Sequence, residues 1–272
     1  MTDLLSSGLI FLLLCASAII GSLVAARLPE RHRTRETIDF TRLVTGLLVT
    51  FTALVTSLLI TSVNSSFEKT EQDLRGYSSQ LIRLTGCLEN LGAETVPIRT
   101  SLRAYTASAL ASTWPEEAPP SGQYPKADSR EDEFDAGNLG ELLLHIQSQL
   151  QRVAVSSPED SSIRASCLVR LDRVLDQRWV LIDEAKSAIT LPFYDMLAGW
   201  LVIVFFSFGL SAPRNELAAV FVFLVAVAVA GAFFVILELD GPLDGLVKVS
   251  SEPMRHALRH IDWSLATTPG KG

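Results

Sequence analysis

Four runs of apolar residues dominate the pattern of this chain: Leu4–Ala26, Leu43–Val63, about Leu191–Ala212, and Leu217–Leu237. Each has about the 20 residues an α-helix needs to cross ~30 Å of hydrocarbon. A helix also satisfies its own backbone hydrogen bonds, which lipid cannot do. Charged residues mark the ends: Asp3 and Arg27 flank the first run, Arg42 precedes the second, Asp195 lies near the start of the third, and Glu238 and Asp240 close the fourth. No Lys or Arg precedes the first run, and it exceeds the roughly 7–15 apolar residues of a signal-peptide core. It is therefore expected to remain as a span.

Between the second and third runs the pattern stays helical but becomes amphipathic. Phe67, Leu74, Leu81 and Leu88 recur every seven residues, with Tyr77, Leu84 and Leu91 at companion positions, a coiled-coil-like stripe. The second span is expected to continue out of the membrane to about Leu91, with Gly92 ending it. A further helix is predicted over Val96–Thr113, with Pro97 in its first turn. Pro115, Pro119, Pro120 and Pro125, together with seven acids between Glu116 and Asp135, predict a solvated, mobile loop over 114–137. Helix resumes near Leu139. Ser157 and Pro158 then start a longer helix carrying Leu168, Leu175, Ile182 and Ile189 every seven residues, with Leu171 between. The fold class is all-α: a four-span transmembrane helical protein with a helical extramembrane domain between helices two and three. The domain reading is 1–64 (two spans and an arginine-rich loop), 65–190 (helical domain), 191–240 (two spans) and 241–272 (a tail with a short helix).

Composition changes this picture in two ways. Charged residues are only 19% of the chain and the net charge is -7, which excludes a basic nucleic-acid binder. Residues 65–188 hold 13 Lys/Arg against 19 Asp/Glu, so the soluble part is acidic and unsuited to anionic lipid. The loop after the first span holds Arg27, Arg31, Arg33, Arg35 and Arg42, and the turn before the fourth span holds Arg214. By the positive-inside rule these face the cytoplasm and the central domain faces outward. Lys248, Arg255, Arg259 and Lys271 in the tail pull the other way.

The candidate chemistry is sparse. Thr50, Ser57, Thr61 and Asn64 share one face of the second span, and Thr45, Thr52 and Thr56 form another stripe. Such a row can line a water-filled pore, or it can mediate close helix packing. Asp195, Glu238, Asp240 and Asp244 are gating or ion-binding candidates at membrane ends. Cys87 and Cys167 lie one on each long extramembrane helix, a candidate disulfide if the domain faces an oxidising compartment. His256 and His260, four apart on a short helix, lack further ligands nearby, and no metal or other cofactor is expected. No phosphate loop, nucleophile elbow, CxxC or HExxH motif occurs, so an enzyme is not expected.

The segments RLPERHRTRETID (27–39), TGLLVTFTALVTSLL (45–59), NSSF (64–67), SFGLSAPRN (207–215) and ELDGPLDGLVKVSSEPMRHAL (238–258) together resemble the bestrophin-like domain family of bacterial membrane proteins. That resemblance implies kinship with bestrophins, pentameric ion channels mostly for anions, whose four membrane helices carry a helical domain between the second and third. It implies a homo-oligomer in the lipid bilayer of the cytoplasmic membrane, with an inorganic ion, an anion by preference, as permeant. Bestrophins keep the helical domain in the cytosol, whereas the charge bias here places it outside. The alternative function is a non-conducting sensor or scaffold whose helical domain binds a partner.

Overall fold

The computed structural model describes residues 2–29, 34–125, 137–184, 191–213, 215–243 and 245–267. Eight α-helices occur among them: α1 Thr2–Arg27, α2 Arg35–Asn90, α3 Val96–Thr113, α4 Gly137–Arg152, α5 Pro158–Glu184, α6 Leu191–Ser211, α7 Glu216–Asp240 and α8 Glu252–Thr267. A single 3-10 turn, Ala93–Thr95, precedes α3. No strand is present among the described residues. The fold is all-α, and α1, the apolar part of α2, α6 and α7 are the four spans. Helix boundaries follow local chemistry. Ser157 Oγ accepts the Asp160 N–H at 3.0 Å, and the Asn215 side chain accepts the Ala218 N–H at 2.8 Å. Each satisfies an amide that a helix start leaves unpaired. Gly92, at φ 84°, takes the left-handed turn after α2 that a side chain would resist.

The chain divides into two compact units, residues 1–67 with 187–248, and residues 68–186 with 249–272. The first is the membrane-spanning unit. Its core joins Leu14 and Ala18 of α1 to Leu197, Leu201 and Phe205 of α6 and Ala226 and Phe233 of α7. The α1–α6 crossing is close enough for main chains to touch. A Cβ placed on Gly21 would run into the Phe206 carbonyl, and one on Gly209 into the Ala18 carbonyl. Ser17 Oγ donates to the Val202 carbonyl across the same seam at 2.7 Å. Small residues and interhelical hydrogen bonds are what association in lipid requires, because the tails supply no hydrophobic driving force.

The second unit carries the extramembrane helices. Leu74, Tyr77, Leu81, Leu84 and Leu88 of α2 are buried, five of the seven positions that the heptad spacing predicts, with Phe67 and Leu91 half-buried; Thr70, not predicted, is buried too. The stripe on α5 departs in part from the sequence expectation. Cys167, Leu171, Val174, Arg178, Leu181 and Ile182 are its buried positions, so Leu171 and Ile182 lie where expected, while Leu168 and Leu175 are half-buried flanks and Ile189 lies outside the described residues. The reason is Arg178: only 3% exposed, it reaches inward and hydrogen-bonds the buried Tyr105, which in turn bonds Tyr77. A pattern-based reading assigns arginine to water and so shifts the seam by one position. Burial pushes both tyrosine hydroxyls above their ordinary pKa.

One further expectation changes. The loop after α3 is not wholly solvated: Trp114 is buried and its indole N–H donates to the Val249 carbonyl at 2.9 Å. Ser108 Oγ donates to the Pro125 carbonyl. Residues 126–136 of that loop lie outside the described residues. The C-terminal segment carries a short helix. α8 buries Met254, Ala257, Leu258 and Ile261 and packs on α3. Arg99 of α3, 1% exposed, donates to the Ser264 carbonyl and hydroxyl at 3.1 and 2.8 Å.

Candidate functional site

α2 presents its hydroxyls on two faces. At about 100° per residue, Thr50, Ser57, Thr61 and Asn64 fall in a sector of about 60°, and Thr45, Thr52 and Thr56 lie roughly 130° away. The structure separates the two stripes by burial. Thr52 is buried and Thr56 half-buried, turned towards α6 and α7, whereas Thr50, Ser57, Thr61 and Asn64 are all exposed. Each threonine hydroxyl with a described bond donates to its own helix: Thr50 to the Gly46 carbonyl (2.9 Å), Thr52 to Leu48 (2.8 Å), Thr56 to Thr52 (2.8 Å), Thr61 to Ser57 (2.9 Å). Their protons are thus committed to the backbone, and the oxygen lone pairs are what a neighbour meets.

Between α2, α6 and α7 lies a cavity of about 490 Å³. Thr52, Thr56, Ser57 and Thr61 line one wall, and Phe205 and Phe233 lie opposite. Ser57 and Thr61 belong both to this cavity and to the exposed stripe. The cavity is otherwise apolar, so it suits a hydrocarbon chain or a side chain better than a hydrated ion.

The acidic candidates do not form one constellation. Asp195 is exposed near the start of α6. Glu238 is 4% exposed and its carboxylate oxygen accepts the backbone N–H groups of Leu246 and Val247. Gly245, at φ 87°, brings the turn against that carboxylate, and any side chain there would collide with it. Glu238 therefore caps the turn after α7, in the manner of an anion in a nest of amides. Asp240 is also buried, and Asp244 lies outside the described residues. Among the described residues no three His, Cys, Asp or Glu side chains come together as a metal site.

Cys87 and Cys167 are joined in a disulfide, with Cα atoms 5.6 Å apart and 80 residues between them in sequence. It ties α2 to α5. Cys15, in α1, is free. At the opposite end of the same helix pair, Lys69 of α2 meets Glu184 of α5 at 2.6 Å, a contact that sequence spacing does not reveal. Burial raises the Glu184 pKa, and Lys69 opposes the shift while Asp73 adds to it. The hydrogen bond to Glu184 raises the Lys69 pKa in return.

Comparison with known proteins places this geometry. The sequence profile of the Bestrophin-like domain family matches residues 12–254. Among solved structures, a bacterial bestrophin homologue from Klebsiella pneumoniae phased with zinc aligns at a TM-score of 0.65 and 14% identity, covering 96% of this chain and 99% of that one. A single-residue variant of a K. pneumoniae bestrophin homologue aligns at 0.62 and 15% identity, covering 98% and 100%. A structure described only as a membrane protein variant aligns at 0.64 and 13% identity, covering 95% and 98%. At these identities the likeness is one of fold. No curated protein sequence matches the chain.

Proposed function

The chain belongs to the bestrophin-like domain family, and from that premise we propose that it is a homo-oligomeric ion channel of the bacterial cytoplasmic membrane, with α2 lining the pathway. The observation that carries this is the state of α2. Only 6% of its apolar window is buried within the protomer, against 28% for α1 and α6 and 22% for α7. Its uncovered face is where Thr50, Ser57, Thr61 and Asn64 sit among leucines. A polar row on an otherwise uncovered membrane helix calls for a neighbouring subunit or for water, and a ring of such helices supplies both.

Anion preference follows from the kinship with bestrophins. The hydroxyl geometry supplies no donor for it at Thr50 and Thr61, so donors for an anion would come from Ser57, Asn64 or the ends of the pathway. We place the extramembrane unit outside the cytoplasm. The Cys87–Cys167 disulfide and the arginines between α1 and α2 support that side.

The test is current across a planar bilayer holding the purified protein under a KCl gradient. Unitary currents are expected, and their reversal potential gives the sign of the permeant ion. Replacing Ser57 and Thr61 together by Leu should abolish conduction. Conductance unchanged in that variant would remove α2 from the pathway, and silence from the folded wild-type oligomer would favour the sensor or scaffold.

A further inference from the structure

Near the disulfide, on the extramembrane unit, lies a polar pocket of about 450 Å³ that the channel reading does not use. Arg83 of α2 and Arg170 of α5 border it, and Asn90, Ser162 and Ser166 complete its polar lining. Cys87 forms part of the wall, so the Cys87–Cys167 bond sets the separation of the two helices at the pocket itself.

The two arginines are without a partner of their own. Neither makes an ion pair or hydrogen bond with any described residue. Some arginines of the same unit meet an acid, Arg103 reaching Asp262 at 2.7 Å and Arg255 reaching Glu117 at 2.7 Å, while Arg164 donates to the Val153 carbonyl. The segment 65–188 carries 19 acids against 13 bases, yet no carboxylate lines this pocket, and two arginines at its border without one point to a counterion from outside. A guanidinium presents planar, paired donors that match the oxygens of a carboxylate or phosphate. The serine hydroxyls and the Asn90 amide add neutral donors. α5 begins at Pro158, so Ser162 and Ser166 stand beyond its first turn, where the positive end of the helix dipole has faded. The side chains, not the helix end, define the chemistry.

We propose that this pocket is a binding site for a small oxyanion, held between Arg83 and Arg170. It is independent of conduction: the site stands or falls whether or not α2 lines a pore.

The experiment is calorimetric titration of the full-length protein, in nanodiscs of neutral lipid, with inorganic phosphate and separately with succinate, which distinguishes the phosphate from the carboxylate source. Saturable binding of at least one is expected, with no competition from an equal concentration of chloride. Arg83→Gln and Arg170→Gln should each weaken it by about tenfold, since a charge-assisted hydrogen bond is lost, and the double variant should abolish it. Arg75→Gln, which removes an arginine paired with Glu71 on the same helix, should leave it unchanged. Should the double variant misfold, Arg83→Lys with Arg170→Lys keeps the charge but not the paired donors, and weakened binding is expected there too. Absence of saturable binding to either anion, binding that survives the double variant, or an equal loss in Arg75→Gln overturns the site.

Discussion

Where α1 meets α6, Gly21 and Gly209 let main chain lie against main chain, whereas α3 meets α8 through Arg99, whose guanidinium reaches the Ser264 carbonyl and hydroxyl. The contrast runs through both units. The membrane-spanning core is built from Leu, Ala and Phe, with Ser17 bridging to the Val202 carbonyl. The extramembrane unit closes with side-chain bonds: the buried chain Tyr77 to Tyr105 to Arg178, and the partly exposed pairs of Arg103 with Asp262 and of Glu117 with Ser251 and Arg255. The difference is one of solvent. In water, burying apolar seams on α2 and α5 drives assembly, and polar side chains then fix which face meets which. In lipid the apolar driving force is absent, so proximity itself must stabilise, and only residues without bulk allow it.

The largest blow to this contrast falls on the disulfide. Replacing Cys87 and Cys167 by Ser opens a closed loop of 80 residues, worth about 4 kcal/mol in the chain-entropy model. Hydrogen exchange resolved by segment should show lost protection in α2 beyond residue 68 and in α5, with α1 and α6 unaffected. If all helices loosen together, the two units are not held by separate means. Next comes Gly209→Leu, which forces a side chain into the Ala18 carbonyl and should cost about 3 kcal/mol or more, at the upper end of overpacking penalties. Exchange should rise in α1 and α6 alone, and unaltered protection there would sink the main-chain account of that crossing.

The smallest effect sharpens the polar side. The Ser251 hydroxyl, with Arg255 beside it, holds the Glu117 carboxyl below its ordinary pKa of 4.5. A folded-state pKa below the unfolded one adds stability above the unfolded value and loses it as pH falls through the folded one. Glu117→Gln should therefore flatten the acid limb of the melting-temperature profile, at a cost under about 1 kcal/mol near neutral pH. An unchanged acid limb would show that this ion pair does not latch the 114–118 segment to α8.

The spans and helix ends were legible because length, caps and glycine stops are local signals. Ser157, Asn215 and Gly92 act where their chemistry says they should. The α2 seam was legible for the same reason, its buried residues being apolar or small. The α5 seam was legible only in part, because Arg178 occupies a core position that only Tyr105, far off in sequence, makes tolerable. Trp114 was hidden by the prolines around it, and the docking of α8 on α3 by their distance in sequence, although the short helix itself was legible. At the candidate site, the hydroxyl rows of α2 could be read from spacing. Which row turns inward could not, since that depends on Phe205 and Phe233 across the cavity. Glu238 reads as a membrane-end acid in sequence, and the backbone amides that hold it exist only once Gly245 turns.

Stiffness is distributed unevenly in the membrane-spanning unit. α1 and α6 touch at their backbones around Gly21 and Gly209, which leaves nothing between them to compress. α2 faces α6 and α7 across about 490 Å³ of void, and voids are the part of a folded protein that gives way under load. The helix that bears the exposed hydroxyls is thus the one with least packed against it, and α1 with α6 is the tightest pair of the unit.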